Sequence, residues 1–315
     1  MLLEISKRLG FPVKKVGDIL WILKSGGIEN NELVRKIGVS KNVINQVKEG
    51  LEDLLEPVSG KTALNDRGRD VVGELFSNSY RPEESMWAFL ESDSQFDKVI
   101  EILKGHENLR AEPKREYDQF TATVETTAKR AVLLDFFADI KDKRILFLGD
   151  DDFTSVAVSH IGKPARACVL DIDPRILDGI KTTSAEIETI KYDTRKVLPD
   201  KLRGKFDVVF TDPPYTTEGV SLFLSRAIEA LDTKGNQAAR IYFCYGNSDR
   251  AKERFLPICE LVIRSGLMMR WVFDKFNRYT GAESIGSASS LFICDITSKT
   301  RPIIHGEFKA KIYTA

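Results

Sequence analysis

Phe206-Asp207-Val208-Val209-Phe210-Thr211-Asp212-Pro213-Pro214-Tyr215 is an apolar run that stops on an acid, two prolines and an aromatic. Read outward, it is one of a series. Arg144 to Leu148 is an earlier run that ends in Gly149. Ala167 to Leu170 ends in Asp171-Ile172-Asp173-Pro174, and Ile187 to Tyr192 ends in Asp193. Downstream, Val220 to Leu231 has helical character, Ala239 to Phe243 is a fifth run, and Leu267 to Phe276 and Ser290 to Ile296 are two more. Glu125 to Ile140 reads as a helix ahead of the first run. Strands alternating with helical segments predict an α/β fold, a parallel sheet with helices on both faces in a Rossmann-like arrangement.

In an open, doubly wound sheet, ligands bind beyond the carboxyl ends of the strands. Four successive strand ends here carry acids: Asp150 to Asp152, Asp171 with Asp173, Asp193, and Asp212. A carboxylate after the second strand suits a ribose, because it accepts from both hydroxyls. Asp171 or Asp173 fits that role, and Asp193 is placed to accept from an adenine amino group. One aspartate after a strand says little, since aspartate is common in turns. One per strand in this order predicts a nucleoside site.

This order, with Asp212-Pro213-Pro214-Tyr215 after the fourth strand, resembles the class I S-adenosylmethionine-dependent transferases, and the tetrad is similar to that of amino-directed methyltransferases. The resemblance implies that the tetrad holds a target nitrogen. The Asp212 carboxylate and the Pro213 carbonyl accept from the amine, Tyr215 covers it, and the lone pair is aimed at the sulfonium-bound carbon. The first loop departs from that pattern. Instead of a glycine-rich turn it reads Gly149-Asp150-Asp151-Asp152-Phe153. Three adjacent carboxylates repel a methionine carboxylate and attract an ammonium tail or a polycationic acceptor. They could also coordinate Mg²⁺, but no phosphate-binding lysine loop accompanies them, so no metal is expected.

The combination resembles the branched-chain polyamine synthases, the N4-bis(aminopropyl)spermidine synthases. The segments that carry the resemblance are Glu116-Tyr117-Asp118-Gln119, Gly149 to Asp152, Asp171-Ile172-Asp173, Asp212 to Tyr215, and Phe276-Asn277-Arg278-Tyr279-Thr280-Gly281-Ala282-Glu283. It implies decarboxylated S-adenosylmethionine as co-substrate with no tightly bound cofactor, spermidine as acceptor at its N4 amine, two successive aminopropyl transfers and methylthioadenosine as by-product. Asp151 or Asp152, within the Asp150–Asp152 cluster, is the expected base. Asp212 and Tyr215 complete the catalytic set. Gly149, Asp171, Asp173, Asp193 and Pro213 are expected at the donor, and Tyr117, Asp118, Pro214 and Glu283 at the acceptor. The family also implies an acidic C-terminal tail, which the stretch Lys309 to Ala315 does not carry. Two rival readings stand beside it, a nucleic-acid amino-methyltransferase and a nucleoside-sensing regulator.

Ahead of this region the pattern is helical. Val16 to Leu23, a segment capped by Asn30 or Asn31, and a segment from Ser40 to Leu55 carry apolar residues at three-and-four spacing. A short hairpin near Pro57 to Leu64 and a last helix ending near Phe76 follow. That succession predicts a small winged helix-turn-helix domain over residues 1–76, a connection with a helix around Phe96 to Leu103 over 77–110, and the transferase domain over 111–315. The third segment offers Lys41 and Lys48 but also Glu49, Glu52 and Asp53, and no arginine, the commonest base reader. With 47 basic and 47 acidic residues the chain lacks the basic excess of a dedicated nucleic-acid binder. A supporting or dimerising role is therefore expected for the module, and a homodimer for the protein. No signal peptide or membrane-length apolar run is evident, and the four cysteines, Cys168, Cys244, Cys259 and Cys294, lack zinc or redox spacing. A reducing cytoplasm is the expected location.

Overall fold

The computed structural model describes residues 1–315 except 10–11, 38–40, 77–79, 81, 83–93, 247–251, 281–287 and 315. The chain divides into two compact units, Met1–Ser92 with Phe136–Ala138, and Asp93–Asp135 with Asp139–Ala315. The division falls inside the stretch read as a connection.

The first unit holds α1 (Leu2–Leu9), α2 (Val13–Lys24), α3 (Asn30–Ile37), α4 (Lys41–Gly50), strands β1 (Leu55–Val58) and β2 (Lys61–Leu64), and α5 (Asp66–Leu75). Val16, Ile19, Leu20 and Leu23 form one face of α2 and are buried against Ile44, Val47, Leu51 and Leu54. The two strands pair antiparallel around Ser59-Gly60, both at positive φ, the backbone that two-residue hairpin turns require. Asn65 accepts from the Gly68 amide at 2.8 Å and caps α5. A side chain at Gly68 would put its Cβ 2.1 Å from the Leu54 carbonyl, so only glycine fits there. The Ser40 expected to cap α4 lies outside the described residues. Lys48 on α4 donates to Asn30 Oδ1 at 3.0 Å.

The second unit begins with α6 (Ser94–Gly105) and α7 (Val124–Phe136), which ends four residues before the expected Ile140. Then follow β3 (Arg144–Leu148), α8 (Thr154–Ile161), β4 (Arg166–Asp171), α9 (Pro174–Thr183), β5 (Glu188–Lys191), β6 (Val208–Thr211), α10 (Thr217–Ala230), β7 (Arg240–Tyr245), α11 (Leu256–Arg264), β8 (Met268–Arg278) and β9 (Ala288–Asp295). The sheet order is β5-β4-β3-β6-β7-β9-β8. From β5 to β7 all neighbours pair parallel.

The expectation of a parallel sheet fails at β9, which runs antiparallel to both β7 and β8. The reason is the connection. The chain between Arg278 and Ala288 is shorter than the dozen or so residues a parallel crossover needs, so β9 returns beside β8 as a long hairpin. Near-continuous apolar runs mark strands covered on both faces. Accordingly Leu146, Leu148, Val209, Ile241 and Phe243 of the central strands are buried with Leu222, Leu224 and Ala227 of α10. The order reverses on either side of β3 and β6, and this switch point is where the strand ends splay to leave a crevice.

Candidate active site

The loop after β3 turns on Gly149, at φ 76°, and its amide donates to the Leu170 carbonyl of β4 at 2.8 Å. That left-handed turn sends the three following carboxylates in different directions. Asp150 accepts from the Thr154 and Ser155 amides at 2.8 and 3.0 Å, so it closes the amino end of α8. Burial pushes it up to about 7, with Asp152 adding to the rise and the Ser155 and Thr154 hydrogen bonds opposing it. Asp152 points inward. Its Oδ1 accepts from the Ala122 amide and from Arg110 Nη2 at 3.4 Å, and its Oδ2 from Arg130 Nη1 at 2.6 Å. Asp151 lies between them and lines the cavity above the sheet. Burial, then Asp152, Asp171 and Asp212, hold its carboxyl well above the ordinary range, while Arg110 pulls the other way.

At the end of β4, Asp171 also lines this cavity. It accepts from the Asp150 and Asp173 amides at 3.1 and 2.8 Å, and burial pushes it up to about 6. Asp173 is turned away. It caps α9 through the Arg175 amide and forms a two-point pair with the Arg175 guanidinium, which holds it below the usual carboxylate range. Asp193 makes the same kind of pair with Arg195, at 2.9 and 2.8 Å. Among the described residues it is the next one, Thr194, that reaches the cavity wall.

Asp212 ends β6 and faces the cavity with Pro214. Its Oδ1 accepts from the Tyr215 hydroxyl at 3.0 Å, and its Oδ2 from the Tyr279 hydroxyl at 2.6 Å and Arg130 Nη2 at 2.7 Å. Burial raises its carboxyl, while Arg130 opposes the rise. The two tyrosine oxygens are 2.9 Å apart, and Tyr279 reaches on to Ser289 at 2.8 Å. Burial pushes both phenols up, so they act as neutral donors. The Tyr215 ring stands against Tyr245, with centroids 5.5 Å apart. Pro213 is buried beneath and is not among the lining residues.

The opposite wall comes from Tyr117, Asp118 and Gln119 and from Tyr313 near the end of the chain. The Tyr117 and Tyr313 ring centroids are 5.8 Å apart. Thr314 donates to Asp118 through its amide at 2.7 Å and through its hydroxyl. Thr216 Oγ1 donates to the Ile312 carbonyl at 2.7 Å, fixing the same segment from the other side. The structure thus brings Tyr117, Asp118, Gly149, Asp151, Asp171, Asp212 and Pro214 to one cavity. It gives Asp150, Asp152, Asp173 and Asp193 protein partners instead, and Glu283 lies outside the described residues.

Arg130 and Tyr313 escaped the sequence reading, and Tyr279 stood in a quoted motif without a role. Arg130 had a detectable signal. It shares a helical stripe with Thr127 and Leu134, in an element whose buried face includes both. An arginine on a buried stripe needs carboxylate partners. Among the described residues no group of three or more histidine, cysteine, aspartate or glutamate side chains is arranged to hold a metal ion.

Residues 96–314 match the family model of the branched-chain polyamine synthase A C-terminal domain. An uncharacterized protein of Methanocaldococcus jannaschii is 31% identical over 96% of this chain and 78% of its own length. The N(4)-bis(aminopropyl)spermidine synthase of Thermococcus kodakarensis is 35% identical over 58% of this chain, and the match spans about half of that enzyme, 53%. Among solved structures, the branched-chain polyamine synthase C9 mutein of Thermus thermophilus, in complex with N4-aminopropylspermidine and 5'-methylthioadenosine, superposes with a TM-score of 0.61 at 21% identity, covering 100% of this chain and 97% of the other.

Proposed function

Because the chain belongs to the branched-chain polyamine synthases, a family of transferases, we propose that it moves the aminopropyl group of decarboxylated S-adenosylmethionine to the N4 amine of spermidine. N4-aminopropylspermidine forms first and N4-bis(aminopropyl)spermidine second, with methylthioadenosine released each time. The observation that carries this reading is that Asp151, Asp171 and Asp212 line a single cavity. Three carboxylates around one cleft suit a polycation and a donor whose tail is an ammonium.

The nucleoside lies over Asp171, which accepts from the ribose hydroxyls, and against Gly149. Spermidine approaches with N4 at Asp212 and Pro214, which line the cavity where Pro213 does not. Its N4 is protonated at neutral pH and cannot attack in that form. Asp151 takes that proton. The freed lone pair then forms the new C–N bond at the aminopropyl carbon next to sulfur. The C–S bond breaks, and its electron pair stays on sulfur as the neutral thioether of methylthioadenosine. The cation that develops on nitrogen is stabilised by the Asp212 carboxylate. Asp150 and Asp152 support the loop, Tyr215 packs along the alkyl chain, and Tyr117 and Asp118 meet the far end of the acceptor. Asp173 and Asp193 act through Arg175 and Arg195 as loop anchors.

We read residues 1–76 as a winged-helix-like module on its helices and two-stranded hairpin, 77–110 as the connection and 111–315 as the transferase domain. A cytoplasmic homodimer that takes spermidine and no nucleic acid completes the reading. The test is to incubate the protein with spermidine and either donor and to analyse the polyamines by mass spectrometry. One and then two added aminopropyl groups are expected from the decarboxylated donor. A methylated amine from S-adenosylmethionine, or unchanged spermidine with both donors, overturns the proposal.

A further inference from the structure

Arg130 is 1% exposed and touches four parts of the site. Its Nη1 donates to Asp152 at 2.6 Å and its Nη2 to Asp212 at 2.7 Å. Its Nε donates to Asn277 Oδ1 of β8 at 2.8 Å, and Nη2 also lies 3.2 Å from the Tyr279 hydroxyl. Asn277 is itself held by Ser289 of β9 at 2.9 Å. One guanidinium therefore ties the loop after β3, the end of β6 and the β8–β9 pair to α7. Arg130 is not among the lining residues of the cavity. It stands behind the two carboxylates it holds.

We propose that Arg130 is a positioning residue for the transfer: it keeps Asp152 and Asp212 as fixed carboxylates, so that Asp212 only accepts a hydrogen bond from the acceptor amine and Asp151 alone receives its proton. The assignment rests on the aminopropyl-transfer reading for its chemistry and on the ion pairs for its structure. An arginine stays charged in any protein, so a carboxylate sharing its fork is a poor place to leave a proton. Asp151 has no ion pair or hydrogen bond of this kind among the described residues. The groups that face Arg130 and its carboxylates, or Asp151, are Asp150 on the same loop, Asp171 from β4, Arg110 ahead of α7, Cys244 from β7, and Tyr215 and Tyr279. Arg110 supports the same division, since it too contacts Asp152, at 3.4 Å.

The experiment compares wild type with Arg130→Lys and Arg130→Gln by carboxyl carbon NMR titration and by transfer kinetics. In Arg130→Gln, Asp152 or Asp212 is expected to hold a proton at about pH 7. The expected kcat falls by at least ~tenfold and KM moves by less than ~threefold, the pattern of an interaction that acts in the transition state. Arg130→Lys restores most of both. Ionised carboxylates in Arg130→Gln, or an unchanged kcat, overturn the proposal. A wild-type protein that transfers nothing refutes the function, while the NMR titration still decides the role of Arg130. Should Arg130→Gln fail to fold, Arg130→Gln with Asp152→Asn removes one charge of each sign. In that protein, protonation of Asp212 at about pH 7 supports the proposal and an ionised Asp212 overturns it.

Discussion

Asp152 Oδ2 lies 2.6 Å from Arg130 Nη1, while its chain neighbour Asp151 lines the cavity. Adjacent residues of one acidic run are thus assigned to different work. Asp151→Asn removes the proposed proton acceptor and leaves the buried ion pairs intact, so the transfer rate is expected to fall by at least ~tenfold with the melting temperature near wild type. Asp152→Asn breaks a buried pair with Arg130 and a longer one with Arg110. That change is expected to cost about 1–3 kcal/mol of stability, because Arg130 and Arg110 each lose a buried carboxylate while Asp212 still pairs with Arg130. Rate measurements beside urea unfolding separate the two effects. Wild-type turnover in Asp151→Asn would remove it as the base.

Much of this was legible in the sequence, and the limits have physical causes. The strand ends at Gly149, Asp171 and Asp212 announced themselves because apolar runs that stop on turn residues are local signals. The acids were assigned less well. Asp173-Pro174-Arg175 and Asp193-Thr194-Arg195 share a spacing that lets each arginine fold back on its aspartate. That pattern was visible but lay under the expectation of a ligand. Arg130 reaches Asp212 across 82 positions and Tyr279 across 149. Contacts of that range follow from the sheet order, which no local pattern encodes. The antiparallel β9 was missed for a similar reason, since an apolar strand has no direction until its connection is measured.

The proposed donor choice rests on the charge of the cavity. Asp151, Asp171, Asp212 and Asp118 line it. The decarboxylated donor brings only an ammonium on its tail, whereas S-adenosylmethionine adds a carboxylate. Unit charges about 4 Å apart near a protein surface interact by about 4 kcal/mol before screening. Even a third of that is about tenfold in affinity. Calorimetric titration is expected to show the decarboxylated form binding at least ~tenfold more tightly. Equal affinities would refute the repulsion argument.

The buried acids also set a pH dependence of stability. Burial pushes Asp150 up to about 7 and Asp171 to about 6, both above their unfolded values. The native state therefore holds protons that the unfolded chain has released between about pH 4 and 7. Stability from these groups is fully present below about pH 4 and is lost as pH rises through 6 to 7. Asp150→Asn cannot ionise and lacks its share of that slope. The melting temperature of wild type relative to Asp150→Asn is expected to fall from about pH 4 to 7 and to level off above that. A constant difference over that range would show that Asp150 is ionised throughout.

Tyr313 closes the cavity from a segment that folds back from far along the chain. Its ring stands against Tyr117, and the neighbouring Thr314 donates to both oxygens of the Asp118 carboxylate. Asp118 sits at φ 55°, so the turn that presents its carboxylate is held in a left-handed conformation. This arrangement makes Tyr313 a wall for a flat or alkyl ligand group while Asp118 and Thr216 hold its flanks. An aromatic contact of this kind contributes about 0.5–1.5 kcal/mol beyond the area it buries. Tyr313→Ala is therefore expected to raise KM about three- to tenfold with kcat little changed, since the ring meets ground state and transition state alike. Asp118→Ala, which releases Thr314, should raise KM in the same direction. A Tyr313→Ala protein with unaltered KM for both substrates would show that the aromatic wall is not part of the working site.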